Sequence, residues 1–146
     1  MKNSNLKLRG YVSSRFFLGE YLPQQIQNLV IRDYCEKYNN QYLLSAVEYA
    51  MDDTYSILED TINNISSVDG IICYSLFQLP LNTNLRMTYF NKIIEKNKHI
   101  HFALEKIQVN KKSDLLNCES IIQSRIAVEK NKSKLNIIEK EILKFI

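Results

Sequence analysis

The chain has 146 residues, enough for one domain with a buried core, and 45% of them are apolar against 24% charged, a balance that excludes a disordered or fibrous chain. A net charge of +3 is too mild to require a nucleic acid or an acidic partner. No run of residues is apolar enough for a signal peptide or a membrane span, so a cytoplasmic protein without membrane contact is expected.

Residues 6–12 read as a short strand ending in Ser13, Ser14 and Arg15. A loop over 16–22 follows. Pro23 then opens a helix, at a position that suits a residue lacking N–H. Its apolar face is read as Ile26, Leu29, Val30 and Tyr34, with Gln24, Gln25 and Gln27 in its first turns, and the Asn39-Asn40 pair stops it. Residues 42–48 form the second strand, closed by Glu48 and Tyr49. Asp52 or Asp53 is expected to cap the next helix, which carries Tyr55, Leu58, Ile62 and Ile65 on one face.

The Asp69-Gly70 turn pair leads into the stretch with the strongest strand grammar, Ile71-Ile72-Cys73-Tyr74. This segment is too short and too rich in strand formers for a helix. It turns polar at Ser75 and Gln78 and stops at Pro80, the pattern of a buried central strand with chemistry at its carboxyl end. Asn82-Thr83-Asn84 caps a third helix running to about Lys96, with Leu85, Tyr89, Ile93 and Ile94 on its face. His99 to Glu105 is the fourth strand. From Asp114 to the end the pattern is helical, as one helix or as two broken near Asn131-Lys132-Ser133.

Strand and helix alternate four times, which predicts a three-layer α/β fold. Its sheet is open, mostly parallel and four- to five-stranded, and a helical tail follows. The expected division is residues 1–110 as the α/β domain and 111–146 as a helical extension that joins copies into a homo-oligomer. In such sheets ligands bind outside the carboxyl ends of the strands. Those ends supply Ser13, Ser14, Arg15, Glu48, Tyr49, Ser75, Gln78 and Glu105.

Each residue has two readings. Ser13 or Ser14 is a nucleophile, or a hydroxyl serving nearby main chain, with no histidine near in sequence to activate it. Glu48 and Glu105 are an acid/base pair, or partners in structural ion pairs. Arg15 grips an anion, or forms a surface salt bridge. Tyr49, Ser75 and Gln78 are assigned to substrate binding. No metal site or cofactor is expected: Cys35, Cys73 and Cys118 lack ligand spacing and read as reduced thiols, and His99 and His101 have no fitting partner.

Several segments together resemble one small bacterial family, the sporadic carbohydrate-cluster proteins. They are residues 9–15 and 23–35, Leu43-Leu44-Ser45-Ala46-Val47-Glu48-Tyr49-Ala50-Met51, Tyr74-Ser75-Leu76-Phe77-Gln78-Leu79-Pro80, and Ile100-His101-Phe102-Ala103-Leu104-Glu105. The likeness covers about residues 8–105. It implies a place in surface-polysaccharide or unusual-sugar synthesis, with a sugar or sugar-phosphate ligand, or else a non-catalytic partner of a pathway enzyme. A more distant likeness is to the catalytic domain of serine recombinases (resolvases), through Tyr11-Val12-Ser13-Ser14, the glutamine-rich helix, residues 69–76 and the strand His101-Phe102-Ala103-Leu104-Glu105. Where that pattern has Asp-Arg, this chain has Phe77-Gln78, and a further arginine is replaced near Pro80. The likeness therefore implies a shared fold without DNA strand exchange; a degenerate resolvase-like nucleic-acid-binding protein is the alternative it leaves, and nucleic acid is not the expected partner.

Overall fold

The computed structural model describes residues 5–16 and 21–145. Five strands make one sheet: β1 (Lys7–Ser13), β2 (Gln41–Glu48), β3 (Gly70–Cys73), β4 (His99–Phe102) and β5 (Ile107–Val109). Their order is β2-β1-β3-β4-β5; β1 to β4 run parallel and β5 is antiparallel to β4. Four helices complete the fold: α1 (Gln24–Lys37), α2 (Ser56–Asn63), α3 (Thr83–Glu95) and α4 (Leu115–Leu143).

Parallel strands are commonly buried on both faces, as β1, β3 and β4 are here, whereas the edge strand β2 leaves Leu44 and Val47 exposed. Leu8, Val12 and Ile72 point to one side, where Ile31, Tyr34 and Cys35 of α1 cover them. Tyr11, Ile71, Cys73, Ile100 and Phe102 point to the other, against Leu58 and Ile62 of α2, Phe90 and Ile93 of α3, and Leu115, Cys118 and Ile122 of α4. The architecture is thus the three-layer α/β fold expected, with Gly10, Val47, Ile72 and Phe102 in its parallel strands.

Four local readings are corrected. The buried face of α1 is Gln27, Ile31, Tyr34 and Cys35, while Ile26 and Leu29 are exposed. The helix is rotated because the Gln27 amide bonds to the end of β1. Neither Asp52 nor Asp53 caps α2; that helix starts at Ser56 with no side-chain cap, and Glu48 takes over its first N–H groups. The fourth strand ends at Phe102, and the chain turns through Lys106, at φ 57°, into β5, a hairpin hidden by the short sequence of β5. Tyr89 and Ile93 of α3 are buried as expected, but Leu85 is on the outside and Arg86 takes the inner position.

Arg86 is buried because every group it needs is nearby. Nε and Nη2 pair with the Glu119 carboxylate of α4 at 2.8 and 2.6 Å, and Nη1 donates to the Pro80 and Leu81 carbonyls at 2.8 and 3.1 Å. This bidentate pair fastens α4 to α3. The tail is one unbroken helix of 29 residues; its first turns belong to the core, and beyond Ile126 it runs exposed.

Two predictions follow from the packing. A Cβ at Gly70 would lie 2.4 Å from the His99 carbonyl oxygen, a main-chain atom that can move only by disturbing the β3–β4 pairing. Gly70→Ala should cost about 1–3 kcal/mol of stability, read from the urea midpoint. His101 is buried between Tyr34, whose hydroxyl lies 2.7 Å from Nδ1, and the stacked ring of His99; its Nε2 has no partner. Burial, with a smaller push from His99, lowers its pKa to about 3. The unfolded chain therefore binds a proton that the folded chain refuses, and stability held above pH 6.5 is lost as pH falls from 6.5 toward 3. By pH 5 the loss should be about 2 kcal/mol, and His101→Gln should flatten the profile by a similar amount in urea titrations.

Candidate functional site

The chain runs from β1 to β2 on one side and then returns to β3 on the other. The carboxyl ends of β1 and β3 therefore border a switch point, where open α/β sheets form clefts. Beyond β3 the chain does not continue as a strand. Ser75 caps a single 3₁₀ turn over Leu76–Gln78, so Ser75 and Gln78 face back toward the end of β1.

A continuous buried network joins these ends. Gln27 of α1 donates from Nε2 to the main-chain oxygens of Ser13 and Leu22, both at 2.7 Å, and its Oε1 accepts from the Ser13 N–H at 3.2 Å. Gln78 Nε2 donates to Gln27 Oε1 at 2.7 Å and to Ser13 Oγ at 3.4 Å, while its Oε1 accepts from the Ser75 N–H at 3.2 Å. Ser75 Oγ donates to Glu105 Oε2 at 2.9 Å, and Glu105 Oε1 accepts from the Leu76 N–H at 2.7 Å. Burial raises the Glu105 pKa, and these two bonds pull it back. Ser13, Ser75, Gln78 and Glu105 are thus brought together, in one hydrogen-bonded chain whose members are mutually satisfied.

Glu48 sits apart from that chain, paired in register with Ser13 across β1 and β2. Its carboxylate accepts from the Tyr11 hydroxyl at 2.9 Å and from the Ile57 and Leu58 N–H groups at 3.1 and 3.0 Å. A carboxylate at the start of a helix is favoured by the helix dipole and by the unpaired N–H groups there. Burial, above all, pushes the Tyr11 phenol far up, and the charge of Arg15 opposes that push.

Arg15 is only 5% exposed. Its Nη1 donates to the Thr54 carbonyl and its Nη2 to the Gln78 carbonyl at 3.3 Å, and the guanidinium carbon lies 4.2 Å from the centre of the Tyr55 ring. Among the described residues no carboxylate forms an ion pair with it. It lines a cleft of about 230 Å³ with Asp52, Asp53, Tyr55, Phe77 and Gln78. Ser14 is half-buried beside Arg15 with no hydrogen bond to the network, and Tyr49 is exposed.

The expected residues thus divide into a buried network, a helix cap and a cleft. Arg15 and Gln78 line the cleft; Glu48 and Glu105 have both oxygens occupied by main-chain or hydroxyl donors. Reading the sequence missed Gln27 as the hub, and Asp52, Asp53, Tyr55 and Phe77 as cleft walls. A signal for Gln27 was present: it falls on the same helical stripe as Ile31 and Tyr34, and a polar residue on a buried stripe needs a partner. Among the described residues no group of three His, Cys, Asp or Glu could hold a metal ion, and no helix is long and apolar enough to cross a membrane.

No protein-family model matches the chain, and no curated protein matches it. The resemblance to carbohydrate-cluster proteins gains no support from these comparisons. Among solved structures, a resolvase family site-specific recombinase from Streptococcus pneumoniae is similar, with a TM-score of 0.55 and 10% identity over 94% of this chain and 97% of that one. The N-terminal catalytic domain of TP901-1 integrase also aligns, at a TM-score of 0.48 and 14% identity over 87% of this chain and 98% of that one. The first of these shows that the chain has a resolvase-like fold; at such identity it shows the fold alone.

Replacing Gln27 by Leu keeps the bulk but removes the side-chain bonds to the Ser13 main chain and the Leu22 carbonyl, and the shorter of the two bonds that Gln78 Nε2 donates. Gln27→Leu should destabilise the protein by more than ~2 kcal/mol, given about 1–3 kcal/mol for each buried group left unsatisfied. Gln24→Leu, in the same helix but outside the network, should stay within about 0.5 kcal/mol in the same unfolding measurement.

Proposed function

We propose that the chain binds a small phosphorylated ligand, with a sugar phosphate as the fitting class, in the cleft at the carboxyl ends of β1 and β3. The observation that carries this reading is Arg15. Its guanidinium is buried against main-chain carbonyls and an aromatic face, no carboxylate among the described residues forms an ion pair with it, and it lines a cleft. A cation so placed favours an anion more strongly than it would in water. Asp52 and Asp53, which line the same cleft, are acceptors suited to ligand hydroxyls. In this reading Gln78 orients Arg15 through its carbonyl, and Ser13, Ser75 and Glu105 hold Gln78. Ser14 lies next to the cleft, and Tyr49 lies beyond it.

The reading is of binding rather than of turnover. The acid/base and nucleophile candidates, Ser13, Glu48 and Glu105, are engaged in bonds that shape the cleft. The carbohydrate class rests on the sequence resemblance. The resolvase-like fold favours a second reading, in which Arg15 meets a nucleic-acid phosphate; Phe77-Gln78, in place of an acidic-basic pair, argues against strand exchange.

Calorimetric titration with hexose phosphates, nucleotide sugars, inorganic phosphate and duplex DNA separates these readings. Saturable binding of a sugar phosphate is expected, and Arg15→Lys should weaken it by about 10- to 150-fold, corresponding to about 1.5–3 kcal/mol for bonds to a charged group. The Lys variant keeps the charge but loses the two-pronged geometry, and circular dichroism should show the fold unchanged. Binding of DNA alone would replace this reading by the second; sugar-phosphate affinity equal in parent and Arg15→Lys would overturn the site.

A further inference from the structure

The outer half of α4 carries a heptad pattern that nothing among the described residues covers. Val128, Leu135 and Ile142 recur every seven residues, and Asn131, Ile138 and Phe145 fall between them at the alternating spacing of a coiled-coil seam. Val128, Leu135, Ile138, Ile142 and Phe145 are all about half exposed or more. At 100° per residue this seam points roughly 160° away from Leu115, Cys118 and Ile122, which face the core. It is therefore a separate surface, not a frayed edge of the domain contact. Ahead of it, Asn117, Ser120 and Ser124 continue the outer side as a polar surface, so the seam starts at Val128.

We infer that a second copy of this chain covers this seam, with the two α4 helices packed antiparallel over residues 128–145. The argument is charge. Lys132 and Lys134 flank the first half of the seam, and Glu139 and Glu141 flank the second. An antiparallel partner reverses that order, so Lys132 meets the other copy's Glu139 and Lys134 its Glu141. By symmetry four attractive pairs form. A parallel partner in register gives two, between Lys134 and Glu139. The same antiparallel register sets Val128 against Phe145 and Leu135 against Ile138, so the large apolar residues meet one another. Asn131 falls opposite Ile142, one layer in from the end. The intrahelical contacts that Lys132 and Glu141 make, with Glu129 at 3.7 Å and Lys144 at 3.0 Å, are solvent-exposed and easily exchanged. An antiparallel pair also places the two α/β domains at opposite ends, each outside the overlap.

Sedimentation of the full chain at micromolar concentration tests this. A species of twice 17.2 kDa is expected, and Leu135→Asn with Ile138→Asn should raise its dissociation constant by on the order of 100-fold or more with helicity retained. Lys132→Glu with Lys134→Glu should also dissociate it, and adding Glu139→Lys with Glu141→Lys to the same chain should restore it. Orientation is read by oxidation, since the native cysteines are buried. A mixture of Val128→Cys and Phe145→Cys chains should form a disulfide-linked heterodimer, and Val128→Cys alone should not. A monomer up to ~100 μM, a dimer indifferent to Leu135 and Ile138, or self-crosslinking of Val128→Cys would each overturn the proposal.

Discussion

The two hydrogen bonds between the Gln27 amide and the main chain of Ser13 are the constraint around which the site is built. A parallel strand that ends inside a protein leaves donors and acceptors that water cannot reach. Here a primary amide from α1 imitates one more residue of strand, and it does so from the first position of the buried helical stripe. That demand fixes the rotation of α1, and with it the contact of Ile31 and Tyr34 with Leu8 and Val12. The second oxygen lone pair of the same amide receives Gln78, so the end of β3 is tied to the end of β1 through one side chain.

Polar groups in the sheet's upper edge follow the same logic at different places. Glu48 closes α2, Ser75 and Glu105 close the 3₁₀ turn, and Arg86 closes the loop at Pro80 and Leu81 while it clamps Glu119. Each acts where a helix or turn begins or a connection crosses the edge, since main-chain groups there have no ladder to join. Arg15 stands out against this pattern. It too serves two carbonyls, but among the described residues no carboxylate forms an ion pair with it, and it lines a cleft. Arg86 has its counterion, Glu119, beside it, whereas Arg15 is held by carbonyls and an aromatic face.

The long helix performs two separable tasks. Leu115, Cys118 and Ile122 complete the face of the sheet that α2 and α3 leave open, and the Arg86–Glu119 pair fixes the direction of the helix. The remainder leaves the domain with its apolar seam turned outward. One helix thus couples the packing of the core to whatever meets that seam.

The sequence by itself determined the layers. Short apolar runs rich in β-branched residues, alternating with helical patterns, leave few alternatives to a mostly parallel sheet covered on both faces, and the chain order placed Arg15 and Gln78 at one edge. It could not determine the partners of Gln27, Glu48 and Glu105, because those bonds join residues far apart in the chain. Gln27 meets Gln78, and Glu48 meets Leu58, only after the strands have taken their order. The turn at Ser75 is capped locally, by Ser75 and Gln78 within four residues, but the bonds that Ser75 and Leu76 make to Glu105 join segments thirty residues apart and could not be read from the sequence. Local periodicity reports which surfaces will be dry. Only the assembled structure decides which polar group satisfies which.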